Sequence, residues 1–393
     1  MRFRVLDIYR FFAAVLVMAY HYVTSFNVLF HGASPYVDFF FMLSGFVIMR
    51  GYANRISSWA DYSTFVFARF ARLYPLHFAT ASFWLAFAAL VGLGVAHPEH
   101  AFPFNAHDVI QNYLLIHAWG TTHNLTLNGQ SWSISAEWAV YLMFPLFIAA
   151  YRKAGARALI GLAIAAVAAL ELASGFGLEN ARPWLEWTYD FGALRAVPSF
   201  LIGMWLSTCA DRGASAEGPG IKTGFALFAL SIPLAYLDAP RLAVLVDLAA
   251  ALYFTACGEL RQQRSWLADV RLVRFGDASY AIYMLHMITL PLGASALRPL
   301  LHDSWATTPV IMAATIVAGV LSYAMFERPA QKWILALRAP QGEHPALRRF
   351  AQLRLARVDA LGWASQIGDG LGEAQETDGG MGKAAVAAVK HAA

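Results

Sequence analysis

Charge is what this chain has least of. Only 14% of its 393 residues are Asp, Glu, Lys or Arg, against 59% hydrophobic, with a mean hydropathy of +0.49. A soluble chain carries about a quarter charged residues, so an ordinary water-soluble domain is excluded and a polytopic membrane protein is implied. Cysteine is nearly absent: Cys209 and Cys257 both fall near span ends expected to be cytoplasmic, which excludes a disulfide framework. There is no G-x-S-x-G elbow, no phosphate-cradling glycine loop and no GxGxxG, so three common soluble catalytic scaffolds are not signalled. No metal-ligand spacing stands out among the 12 histidines, five of which (97, 100, 107, 117 and 123) share one stretch expected to be external. No internal repeat is visible, which weakens a transporter built from two related halves. The first apolar run contains Arg10 and lacks a small-x-small cleavage site, so it is not expected to be a removable leader. The pI near 9.0 reflects loop charge, and no nucleic-acid partner is expected.

What the chain does have is apolar runs. With a window of about 20 residues, they place spans at about 6–27, 35–50, 73–96, 132–151, 157–175, 187–207, 223–238, 241–258, 276–297 and 308–327. The expected fold is all-α: about ten transmembrane helices, plus one re-entrant or interfacial segment at 109–119, too short to cross. With the N-terminus in the cytoplasm, inside loops carry 18 Lys and Arg (Arg2, Arg4, Arg50, Arg55, Arg69, Arg72 and Arg152 among them) and outside loops only Arg182, Arg241 and Arg298. That bias orients both termini toward the cytoplasm. Letting 109–119 cross would invert the later loops. Residues 1–338 form the membrane domain, and 339–393 read as a mobile cytoplasmic tail.

Polar residues inside apolar runs are expensive and mark candidate chemistry. Arg10 and His21 are eleven helical steps apart, about three turns, so they share a face roughly 16 Å apart. Arg10 alone could snorkel and His21 alone could be a satisfied buried imidazole. Together they suit an anion holder and a general base or acyl acceptor. Arg69 and Arg72, three apart just before the third span, read either as positive-inside charge or as a clamp for a phosphorylated cytosolic ligand. Glu137 lies inside the fourth span and needs a proton or a partner, His21 and Arg195 being candidates. Arg195 lies mid-span and calls for a partner such as Glu137 or Asp190, or for a polar cavity. Asp247 reads as structural. Ser279, Tyr283 and His286 form one polar stripe on a helix, facing other helices or a cavity.

Taken in order, these segments resemble acyltransferase family 3, over about residues 5–335. Arg10 and His21 fit its Arg-x10-His signature. Val37-Asp-Phe-Phe-Phe-Met-Leu-Ser-Gly-Phe46 is similar to its "VDxFFxLSGF" segment. Arg69 to Pro75 fits Arg-x-x-Arg-x-Tyr-Pro. Trp132 to Pro145 is similar to "WSLxxExxFYLxxP", with Glu137 at the acidic position. Arg195, Phe200 and Gly203 fit "RxxxFxxG", Ser279 to His286 resembles "SYSxYLxH", and Phe326-Glu-Arg-Pro329 fits the closing "ExP". The resemblance implies a bacterial inner-membrane O-acyltransferase moving an acyl group, typically acetyl, from acyl-CoA to a hydroxyl of a cell-surface or lipid-linked saccharide. It implies His21 and Glu137 as catalytic residues and Arg10, Arg69 and Arg72 as CoA-phosphate ligands. It leaves Asp38, Trp132, Arg195, Ser279, Tyr283 and His286 as substrate-binding or structural polar positions, and it implies no metal. The competing reading from another class is a proton-coupled carrier of a sugar or acyl compound, with His21 and Glu137 as a relay.

Overall fold

Twelve α-helices make up the computed structural model, which describes residues 2–24, 34–95, 105–178, 182–301 and 307–338. They are α1 (Arg4–Thr24), α2 (Ser34–Tyr52), α3 (Trp59–Gly92), α4 (Ala106–Tyr113), α5 (Trp132–Ala154), α6 (Ala156–Gly175), α7 (Gly192–Ser215), α8 (Ile221–Tyr236), α9 (Arg241–Leu260), α10 (Val270–Leu301), α11 (Thr307–Ser322) and α12 (Arg328–Leu337). No strand occurs among the described residues. Among the described residues, eight helical stretches are long and apolar enough to cross a membrane, and α8 is a shorter apolar helix. With α2, they lie at the ten expected positions, while α4 covers only the first part of the short segment expected at 109–119. The protein is an all-α membrane protein. The chain divides into two units, Met1–Leu335 and Ala336–Ala393. The tail expected at 339–393, like His97 and His100, lies outside the described residues.

Local signals explain the ends. Ser58 caps α3: its hydroxyl accepts from the Asp61 amide, and the Asp61 carboxylate accepts from the Ser58 amide. The helix therefore begins about 14 residues before the expected span. Arg69 and Arg72 sit about three to three and a half turns inside it, not in a loop ahead of it. Gly155, at φ +69°, makes the tight turn from α5 to α6, a backbone region that favours glycine. The N-terminus of α1 is capped from far away: Glu259, at the end of α9, accepts from the Val5 amide at 3.1 Å.

Helix α2 makes its closest approach to α7 through two glycines. A Cβ on Gly45 would lie 2.0 Å from the Phe200 carbonyl oxygen, and one on Gly203 would lie 1.9 Å from that of Met42. Small residues let helix backbones meet this way in lipid. Gly276 of α10 likewise abuts the Asp7 carbonyl of α1, 2.3 Å from where its Cβ would be. These contacts seat α2 on α7 and α10 on α1, and α1, α2, α3, α5 and α10 together line one polar pocket. Large apolar side chains such as Ile164, Leu172, Val246 and Val317 remain exposed on the outside, as a lipid-facing surface requires.

Candidate active site

The interior holds a pocket of about 960 Å³, including its open mouth. Its walls come from α1 (Asp7, Arg10), α2 (Ser44), α3 (Arg69, Arg72), α5 (Ser133, Glu137, Tyr141) and α10 (Asp277, Ser279, Tyr280, Tyr283). Thus Arg10, Arg69 and Arg72, far apart in sequence, line one cavity. They are not a bare cluster of positive charge. Arg72 pairs with the buried Glu327, and its guanidinium lies over the Tyr280 ring, 5.4 Å from the centroid. Arg10 lies 3.5 Å from Asp7. Arg2 reaches both Asp7 and Asp277 at 2.6 Å. Arg69 donates to the Tyr52 hydroxyl at 3.2 Å and takes part in none of the ion pairs among the described residues. Arg2, Arg10 and Arg72 are therefore balanced by Asp7, Asp277 and Glu327, while Arg69 touches a hydroxyl and aromatic faces and has the Glu137 carboxylate as its nearby counter-charge, without a direct ion pair.

Glu137 faces this pocket. Ser44 donates to its Oε1 at 2.8 Å, and the Tyr141 hydroxyl donates to the same oxygen. Its partners are thus hydroxyls, not His21 or Arg195. Arg195 is bound by Asp38: Nη2 lies 2.6 Å from Oδ2 and Nε 3.2 Å from Oδ1. Arg195 also donates to Ser34 Oγ at 2.7 Å and the Trp187 carbonyl at 3.2 Å, and stands over the Trp132 ring at 5.1 Å. Both ions are 1% exposed. Asp190, the other candidate, pairs with Arg182 instead. This reads Asp38, Trp132 and Arg195 as one structural knot joining α2, α5 and α7. Asp247 is only half-buried, with Oδ2 unpartnered.

His21 does not line the pocket. It sits on the last turn of α1, so the imidazole is near the far end of the helix and not at its middle. Its Nδ1 lies 2.8 Å from the Val17 carbonyl, and its Nε2 2.8 Å from Gln130 Nε2. A carbonyl only accepts, so Nδ1 carries the hydrogen, and in the neutral ring Nε2 presents a lone pair. The ring of His286 of α10 lies close by, tilted at 50° with centroids 5.1 Å apart. Between pocket and His21 stands one hydrogen-bonded pair. The Ser133 hydroxyl and the Tyr283 hydroxyl are 2.8 Å apart, and Tyr283 donates to the Gln130 carbonyl at 3.2 Å. Ser279, also on the pocket wall, donates to the Gly276 carbonyl at 2.8 Å.

Gln130 and Glu327 are the two residues the sequence reading passed over. Gln130 stands two residues ahead of the Trp132–Pro145 motif and Glu327 lies within the last one, so both were on view without a role. Glu327 is turned inward by a five-residue π-helical segment, Tyr323–Glu327, and such segments leave no periodicity signal in sequence. Below the site, His117 stacks on His77 at 5.7 Å. Burial and that neighbour push the His117 imidazole down to about 3. It donates to Ser131 Oγ at 3.1 Å, steadying the turn that bears Gln130. No group of three or more metal-ligating side chains occurs among the described residues.

The acyltransferase domain model of family 3 matches residues 3–325. This chain belongs to that acyltransferase family. Among curated proteins it is similar to Acyltransferase MdmB of Streptomyces mycarofaciens, 28% identical over 338 residues, covering 79% of this chain and 83% of that protein. It is also similar to Nodulation protein 10 of Rhizobium leguminosarum bv. viciae, 25% identical over 366 residues (83% of this chain, 92% of that protein). A third, Protein 2 in picA locus of Rhizobium radiobacter, is 32% identical over 191 residues, which is 44% of this chain and 96% of that protein. No solved structure matches the chain. The protein is therefore a membrane acyltransferase.

Proposed function

We propose that this acyltransferase takes an acyl group, acetyl in the first instance, from acyl-CoA on the cytoplasmic side of a bacterial inner membrane and places it on a hydroxyl of a cell-surface or lipid-linked saccharide. One observation carries the reading. A single pocket carries Arg10, Arg69 and Arg72, which the charge bias assigns to the cytoplasmic side, and its wall also holds the Ser133–Tyr283 pair, which is joined through Gln130 to His21. Phosphates would be met by Arg69 first, since it has no direct ion pair to break, and then by Arg10. The pantetheine arm would run along α10 toward Tyr283. Rotation of Tyr283 away from Ser133 would admit the thioester to His21.

The chemistry then follows from the imidazole. His21 Nε2 takes the proton of the acceptor hydroxyl as its oxygen attacks the thioester carbonyl. A C–O bond forms, the C–S bond breaks, and the proton passes to the departing thiolate. Glu137, held by Ser44 and Tyr141 on the pocket wall, orients the donor and does not touch His21.

Purified full-length protein with acetyl-CoA and a saccharide acceptor tests this by release of free CoA thiol. His21→Ala is expected to abolish release with thermal unfolding unchanged, and wild-type activity is expected to fall as pH drops far enough to protonate His21. Arg69→Gln is expected to raise the KM for the donor about tenfold, roughly 1.4 kcal/mol, more than Arg72→Gln does. Lysine at 69 restores part of it, because it cannot make the forked contact. Undiminished release from His21→Ala, or saccharide counterflow without acetyl-CoA, would overturn the reading in favour of the carrier.

A further inference from the structure

Two imidazoles meet beside Gln130, and both present the same nitrogen. His21 Nδ1 donates to the carbonyl of Val17, and His286 Nδ1 donates to the carbonyl of Tyr283 at 2.5 Å. In each neutral ring the lone pair is therefore on Nε2. Their ring centroids are 5.1 Å apart. One lone pair is occupied, by the Gln130 side-chain amide at 2.8 Å. The other is not: His286 is 0% exposed and its Nε2 has no hydrogen-bond partner. A buried acceptor left unpaired is costly, and this one belongs to the ring next to the one that Gln130 serves.

We propose that Gln130 is a positioning residue with two seats: its amide N–H covers His21 Nε2 at rest and moves to His286 Nε2 when an acceptor hydroxyl takes its place on His21. This rests on the proposed acyl transfer and deepens it by naming what guards the base. At rest the base cannot accept a proton from water, which protects a bound thioester from hydrolysis. With the acceptor bound, the hydroxyl donates to His21 and the displaced amide satisfies the lone pair that is otherwise empty. The count of hydrogen bonds is the same or better in the second state, so the exchange needs little driving energy. Gln130 can move while its backbone stays: its carbonyl is fixed by Tyr283 and Ser133, and the adjacent Ser131 by His117. The other titratable groups around His21 are Tyr20, with rings 5.0 Å apart, and Tyr22 and Tyr283, each against His286. All are phenols, which stay neutral between pH 5 and 8.

The test reads His21 itself. Full-length protein in detergent is treated with diethyl pyrocarbonate at pH 7, which reacts with a free imidazole lone pair, and modification of His21 is followed by peptide mass spectrometry. Gln130→Ala is expected to react about tenfold faster than wild type and to hydrolyse acetyl-CoA faster without acceptor. His286→Phe removes the second seat: His21 is expected to react no faster than wild type, while kcat falls and the donor KM holds. Gln130→Glu places a carboxylate against His21, which favours the imidazolium. Its modification is expected to slow, and the acid limb of the pH–rate profile to move up by about one unit. Equal reactivity of His21 in wild type and a folded Gln130→Ala overturns the proposal. Should that variant fail to fold, an unmoved acid limb and unchanged reactivity in the near-isosteric Gln130→Glu overturns it as well. The modification rates do not depend on thioester turnover, so a wild type that never releases CoA thiol sinks the acyl-transfer reading separately from this one.

Discussion

Arg195 and Asp38 show what a single buried charge demands. Taking a guanidinium out of water is tolerable only if its N–H groups are used, and here they meet a carboxylate, a hydroxyl, a backbone carbonyl and an indole face. The position was legible as costly from sequence. The partner was not, because Asp38 and Arg195 are 157 residues apart and nothing in the local pattern favours Asp38 over Glu137 or Asp190. Asp38→Asn is expected to destabilise by about 3–5 kcal/mol, since it leaves the guanidinium buried without its counter-charge. Asp38→Asn combined with Arg195→Met should recover much of the loss. Thermal unfolding in detergent measures both, and a double variant no better than the single one would show that the pair does not act as a unit. His21 and Glu137 teach the same lesson in reverse. Each was recognisable as chemically unusual, but sequence spacing could not say that they face different spaces.

At the scale of elements, periodicity and hydropathy recovered the order and number of apolar helices because lipid imposes length. They failed at ends set by polar detail. The Ser58–Asp61 box starts α3 early and carries Arg69 and Arg72 into the helix. The π segment rotates Glu327 onto Arg72. Gly45 and Gly203 were visible only as letters in motifs, while their work is to bring α2 and α7 into backbone contact. Gly203→Ala must push Met42 away from a methyl that would sit 1.9 Å from its carbonyl oxygen. The expected cost is about 1–3 kcal/mol, with a matching drop in unfolding temperature, against almost no change for Gly161→Ala, where a Cβ meets nothing within 4 Å. Equal effects at the two positions would remove the close-contact account.

On the scale of the whole molecule, the membrane class, the helix order and the family follow from composition and motifs, while the pocket does not. It is assembled by five helices drawn from both halves of the chain, and only three-dimensional packing decides that Arg10, Arg69 and Asp277 share a wall. Helix α1 is held in that assembly by late residues. Glu259 receives its first amides, and Asp277 receives Arg2. Glu259→Leu is expected to cost about 1–3 kcal/mol, as the amides lose their acceptor, and to lower activity by loosening the helix that bears Arg10 and His21. Unchanged unfolding and turnover in this variant would deny the anchor.

The long-range cap on α1 also sets an order of events at the ribosome. The first hydrophobic segment leaves the exit tunnel more than 250 residues before the carboxylate that will fasten it. Until α9 has been inserted, α1 must wait in the bilayer with its N-terminal amides served by water or lipid headgroups. Chains interrupted before that point would carry a first helix without its cap.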